Sequence, residues 1–130
     1  MEFSGLVVEG KHLGRTLGFP TLNIDAAGAP LPERGVYIAS VRVEGVERPF
    51  RCMLNIGSHP TVPEGPPTVE AHLLGIDRDF YGARVRVETL EYLREERRFA
   101  SVEQLREQLE RDRERVRAYF AQRDESAPEE

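Results

Sequence analysis

With 130 residues, 39% of them hydrophobic and 32% charged, the chain has the size and balance of one soluble globular domain and not of a disordered segment. Its formal net charge of -5 works against a nucleic-acid partner held by phosphate neutralisation; no window has the apolar length of a membrane span or the make-up of a secretory leader, so a cytoplasmic protein with no membrane partner is expected. The single Cys52 excludes an internal disulfide and a cysteine-built zinc site, and His12, His59 and His72 lack ligand spacing, so any metal should be an oxygen-preferring ion.

Phe3 to Val8 and Phe19 to Ile24 read as short strands around a loop that carries Gly10, Gly14 and Gly18. Gly28 to Arg34, with Pro30 and Pro32, is a turn-rich connection. Val36 to Val43 is β-branched and alternating, a turn begins at Glu44-Gly45, and Pro49 to Ile56 resumes as a strand, which predicts a hairpin. Cys52 lies in that second run and reads as a buried, inert thiol. Gly57 to Pro67 is a proline-rich loop, Thr68 to Leu74 a strand, and Asp77 to Gly82 a turn. Ala83 to Leu93 alternates, with Val85, Val87, Thr89 and Glu91 on one face and Arg84, Arg86, Glu88 and Leu90 on the other. Six short strands in one small domain point to a barrel or a sandwich.

The period changes at Ser101. Ser101 and Gln104 fit a capping box, and Val102, Leu105, Leu109, Val116 and Phe120 recur at helical spacing, so one long helix is expected through Gln122. Asp112 falls on the apolar stripe and should meet an arginine or a backbone amide. Residues 1–123 are expected to form the domain, with 124–130 (DESAPEE) a frayed acidic tail.

The chemistry centres on GRTLGFPTLN. Strand alternation would put Thr21 and Asn23 on one face, offering a hydroxyl and an amide oxygen, neutral hard donors suited to Mg2+. Upstream glycines let backbone amides approach an anion, and Lys11 and Arg15 add positive charge. There is no GxxxxGK[ST] and no GxGxxG opening a helix, so a phosphate cradle and a tight turn beside a polar strand both remain open from these residues alone. Glu70 shares a strand face with His72; by itself it reads as a solvent-facing carboxylate before it reads as a base, and His72 as structural.

The blocks VVEGKHLGRTLGFPTLNI, LPERGVYIASV, MLNIGSHPTV, VEAHLLGIDRDFYG and EYLREERRFASVEQLREQLERD resemble successive blocks of the riboflavin kinase family, in family order, from Leu6 to Asp112. The resemblance implies a mainly β fold, a small six-stranded antiparallel Greek-key barrel with one long C-terminal helix packed outside. It implies an ATP:riboflavin 5'-phosphotransferase that forms FMN and ADP by Mg2+-assisted in-line transfer to the ribityl 5'-hydroxyl. By match to the family, Glu70 is the catalytic base; Gly10, Gly14, Arg15, Thr21, Asn23 and Tyr81 belong to the nucleotide site; Thr21 and Asn23 hold the metal; Arg94, Arg97 and Phe99 meet the flavin. Against these stand a core position for Tyr81, a plain charged connection for Arg94 and Arg97, and a hydrophobic staple before Ser101 for Phe99. The sequence departs from the family at Leu22, where alanine is usual, and at His59-Pro60-Thr61, where Arg-Pro-Thr is frequent. In bacteria the module usually follows an FAD synthetase domain, so the chain is either a stand-alone kinase or an excised piece. A separate FAD synthetase joins riboflavin/FMN and ATP/ADP among the expected partners, and a monomer is expected. The rival reading is a catalytically inactive flavin-binding barrel, an FMN carrier or regulatory module.

Overall fold

The structure, a computed structural model, describes residues 1–10, 17–58 and 67–126. Its elements in chain order are β1 (Glu2–Val8), β2 (Leu22–Asp25), β3 (Gly35–Val43), β4 (Phe50–Gly57), β5 (Thr68–Leu73), β6 (Arg84–Arg94) and α1 (Val102–Ser126). The six strands close into an antiparallel barrel in the order β1-β2-β5-β4-β3-β6. Strands β3, β4 and β5 are consecutive neighbours, while β2 lies beside β5 and β6 beside β3, which is Greek-key connectivity. The expected hairpin is β3–β4, with Gly35 opposite Ile56 and Val41 opposite Phe50.

Alternation fills the barrel. Tyr37, Ala39, Val41 and Val43 of β3 meet Cys52, Leu54 and Ile56 of β4 and Val69, Ala71 and Leu73 of β5 in one apolar cluster. Each large aliphatic chain buried there contributes about 1.5–3 kcal/mol. Cys52 is fully enclosed and burial raises its thiol pKa, so it stays protonated and inert. Between the inward Phe3 and Val7 stands Gly5, where a side chain would strike the Asp25 carbonyl oxygen across the β1–β2 pair.

Two sequence expectations shift. β2 begins at Leu22, not Phe19: Pro20 has no N–H to give to a ladder, so Phe19 and Pro20 stay outside the sheet although Phe19 is buried. In β6, Thr89 lies opposite Ala39 but Glu91 lies opposite Ile38, so the register slips at Leu90. That bulge turns Glu91 to the face opposite Thr89, against simple alternation.

Met1–Arg97 forms one compact unit and Arg98–Glu130 a second. In the second, the Gln104 amide donates to Ser101 Oγ at 3.2 Å and Gln104 Oε1 accepts from the Ala100 amide at 3.2 Å, which starts α1. Asp112 is fully buried and accepts from Gln108 Nε2 at 2.9 Å. Arg111 Nη2 donates to Gln108 Oε1 at 3.1 Å, which joins an arginine to the same network. The helix runs past Gln122 to Ser126; Arg123 lies 3.3 Å from the Tyr119 ring centroid and donates to the Tyr119 carbonyl, a cation placed where the helix dipole favours one.

Because the added methyl would press on backbone and not on a flexible side chain, Gly5→Ala should lower unfolding free energy by about 1–3 kcal/mol. Urea denaturation followed by circular dichroism measures it, and an unchanged midpoint would refute so close a β1–β2 approach.

Candidate active site

Directly opposed residues of an antiparallel pair share a face, with Cβ atoms about 4.5–5.5 Å apart. Asn23 of β2 lies opposite Glu70 of β5, and Glu70 lies opposite Asn55 of β4. Three polar side chains therefore form a row across three strands whose alternate residues, Leu22, Leu54 and Ala71 among them, fill the core. All three are half-buried, and among the described residues none has a hydrogen-bond partner. Burial pushes the Glu70 carboxyl above the usual carboxylate range.

The expected site residues distribute around this row. Gly10 lies against the Asn23 amide so closely that a Cβ there would collide with it and the Asn23 side chain would have to shift. Gly14 and Arg15, with Lys11, fall outside the described residues. Thr21 stands just ahead of β2, and together with Asn23 it lines a cavity of about 170 Å3 shared with Glu9, Asp77, Arg78 and Tyr81. That volume is below the roughly 300–1,000 Å3 typical of a whole-ligand pocket, so it has the size of a subsite. Glu70 is not among its lining residues; Asn23 belongs to both the cavity and the row.

Tyr81 is held at this cavity by the turn that bears it. Asp79 Oδ1 accepts from the Tyr81 amide at 2.7 Å, Gly82 adopts φ 83°, and Val7 exchanges backbone hydrogen bonds with Gly82 and Ala83 at 2.9 Å each. Phe80 takes the core position against Phe50, with ring centroids 5.5 Å apart, so Tyr81 is 61% exposed and is no core tyrosine. Arg78 lies over the Phe80 ring at 4.7 Å and is the cationic residue that lines the cavity among the described residues.

The row continues toward the flavin candidates: Asn55 lies opposite Val36, and Val36 opposite Arg94. Arg94 Nη1 donates to the Glu95 carbonyl at 3.0 Å, and Arg97 is exposed. Phe99 is half-buried and belongs to the second unit. The segment after β6 is fastened by Glu96, whose carboxylate accepts from the Ser58 amide at 2.9 Å and the Ser58 hydroxyl at 3.0 Å. On β5, His72 Nδ1 lies 2.8 Å from the Pro20 carbonyl oxygen.

Sequence reasoning missed Asn55, Arg78 and the Ser58–Glu96 clamp. An asparagine between the apolar Leu54 and Ile56 was a readable signal for the first. Arg78 sits in the DRDFYG turn, and Ser58 and Glu96 are 38 residues apart with no local pattern to connect them.

Thr21 and Asn23 present neutral oxygen donors, and the described residues hold no cluster of three His, Cys, Asp or Glu able to bind a metal. The donor set fits Mg2+ carried chiefly by phosphate oxygens.

Residues 1–120 match the family described as Flavokinase: Riboflavin kinase. A bifunctional riboflavin kinase/FMN adenylyltransferase of Escherichia coli (strain K12) is 41% identical over 117 residues, covering 90% of this chain and 37% of its own length. The RNA-binding riboflavin kinase RibR of Bacillus subtilis (strain 168) is 42% identical over 111 residues, covering 84% of this chain and 46% of that protein. A crystal structure of riboflavin kinase from Trypanosoma brucei superposes with a TM-score of 0.62 at 28% identity, covering 92% of this chain and 79% of that one. The chain thus spans less than half the length of these curated relatives.

A carboxyl whose folded-state pKa is raised binds its proton more tightly folded than unfolded, so its ionisation lowers stability as pH rises between the two pKa values. Glu70→Gln should therefore raise the melting temperature at pH 7, and the gain should vanish below the unfolded carboxylate pKa of about 4.3. Thermal melts at both pH values test it; equal gains at both, or none at pH 7, would contradict a desolvated Glu70.

Proposed function

This chain belongs to the riboflavin kinase family, and from that membership we propose that it transfers the γ-phosphoryl group of ATP to the 5'-hydroxyl of the riboflavin ribityl chain, giving FMN and ADP. The observation that carries it is Glu70: half-buried, without a hydrogen-bond partner among the described residues, and raised in proton affinity. A carboxylate in that state is suited to accept the hydroxyl proton as the alcohol oxygen bonds to γ-phosphorus and the bond to the β–γ bridging oxygen breaks.

Thr21 and Asn23 would hold Mg2+, which when bound neutralises charge on the phosphate oxygens. Tyr81 and Arg78 line the same subsite, and Gly10 leaves room for the Asn23 amide. Gly14 and Arg15 complete the proposed nucleotide site from outside the described residues. Arg94, Arg97 and Phe99 are assigned to the flavin, where guanidinium groups can meet carbonyl or phosphate oxygens and the ring can stack. Residues 1–123 act as one kinase module in this proposal. The adenylyltransferase activity and the RNA binding in the relatives' names belong to those proteins; for this chain an FAD synthetase is proposed as a further partner, and a nucleic acid is not, given its acidic balance. Among the described residues no helix is long and apolar enough to cross a membrane, and a cytoplasmic monomer is proposed. An inactive flavin carrier is disfavoured because a desolvated, unpartnered carboxyl costs stability and a carrier has no use for it.

Mixing the protein with riboflavin, ATP and Mg2+ should yield FMN, resolved by chromatography; Glu70→Gln should lower kcat by about 10²- to 10⁴-fold. Riboflavin should still bind the variant, as flavin fluorescence reports. Binding without turnover in the unaltered protein would favour the carrier instead. Because Thr21 and Asn23 are themselves neutral donors, Mg2+ held by them should bind weakly without nucleotide, so that tight uptake in calorimetry of the apo protein would count against them as its ligands.

A further inference from the structure

His72 was read from sequence as structural, and its surroundings give it a narrower task. It lies on β5 two residues from Glu70, is 6% exposed, and packs against the Phe19 ring with centroids 5.2 Å apart. A carbonyl oxygen only accepts, so the 2.8 Å contact to Pro20 requires the proton on Nδ1, and the imidazole donates.

The β2–β5 ladder pairs Asn23 with Glu70 and Leu22 with Ala71, and one further step in that register would set Thr21 opposite His72. The ladder does not take that step: β2 starts at Leu22. Where main-chain pairing stops, the His72 side chain replaces it, fixing the carbonyl of the peptide that leads into Thr21. One strand thus bears the carboxylate at Glu70 and, on the same face, the group that fixes the approach to Thr21.

We infer that His72 is a positioning residue: through the Pro20 carbonyl it sets the Thr21 hydroxyl at the phosphate subsite, without touching substrate. The inference rests on the kinase reading for its kinetic consequence and on geometry alone for its structural one. A buried histidine that merely fills core space would be replaceable by any ring of similar size.

Two variants separate the cases. His72→Phe keeps a ring against Phe19 and removes the donor; His72→Asn keeps an N–H near the Nδ1 position and removes the ring. His72→Phe should raise the KM for MgATP by about 10-fold or more while riboflavin affinity holds, and His72→Asn should stay near the unaltered protein. Without ligands, amide hydrogen exchange over residues 19–23 should quicken in His72→Phe and recover in His72→Asn. An unchanged KM and exchange in His72→Phe, equal losses in both variants, or a parallel fall in riboflavin affinity would overturn it. If circular dichroism shows His72→Phe unfolded, His72→Asn decides: a near-normal KM with the ring gone supports the role, and a tenfold rise refutes it. Absence of FMN formation by the unaltered protein would remove the kinase reading and leave the exchange comparison to judge His72.

Discussion

Everything at the candidate site depends on the register of three strands. Asn23, Glu70 and Asn55 form a row because β2, β5 and β4 pair with those residues opposed, while their sequence neighbours Leu22, Ala71 and Leu54 fill the barrel. A slip of one residue would reverse both sets, driving a carboxylate inward and a leucine outward. The apolar interior therefore does more than stabilise the barrel: it fixes which way the polar row faces. Sites carried on such strands are held more closely than sites carried on loops.

The margin of the row is assembled from turns, and each uses a local device suited to its place. Asp79 and Gly82 shape the turn that turns Phe80 inward and Tyr81 outward, and Val7 ties that turn to β1. Gly10 gives up a side chain so that Asn23 can lie against it. Pro20 withholds an amide where the β2–β5 ladder ends, and His72 takes over the contact there. Ser58 and Glu96 join the end of β4 to the segment after β6. The rigid sheet thus supplies direction, and short polar contacts set the approach of the segments around it.

How much of this was legible follows from the range of each interaction. Alternation and turn residues located six strands and the β3–β4 hairpin, because strand faces and glycine turns are local. The Leu90 bulge escaped because alternation presumes an unbroken ladder, so Glu91 was placed on the wrong face. The start of β2 escaped because FPTLNI is strand-like in composition, and only pairing shows that Pro20 ends it. Glu70 and Thr21 could be singled out by likeness to a family, yet that Asn55 stands beside Glu70 depends on which strands meet. Ser58 and Glu96 are far apart in sequence, and no periodicity links them.

Charge sets the remaining constraint. The proposed donor is a polyanion, and the protein it must enter carries a net charge of -5 and a carboxyl, proposed as the base, whose proton affinity burial has already raised. Phosphate groups near Glu70 would raise that affinity further and hold the base protonated, unable to accept a proton. Cations at the subsite oppose this, and their placement decides whether the base can work. Arg78 lines the cavity from a fixed seat on Phe80, on the side that Asn23 shares with the row. Thr21 and Asn23 add oxygen donors without adding negative charge, which leaves the full charge of a phosphate-borne metal to act on the phosphates and on Glu70. An aspartate at either position would bind the ion more tightly when empty and neutralise part of its charge. In the proposed mechanism, neutral donors in the cavity and a desolvated carboxyl in the adjoining row would together accept a polyanion and a proton.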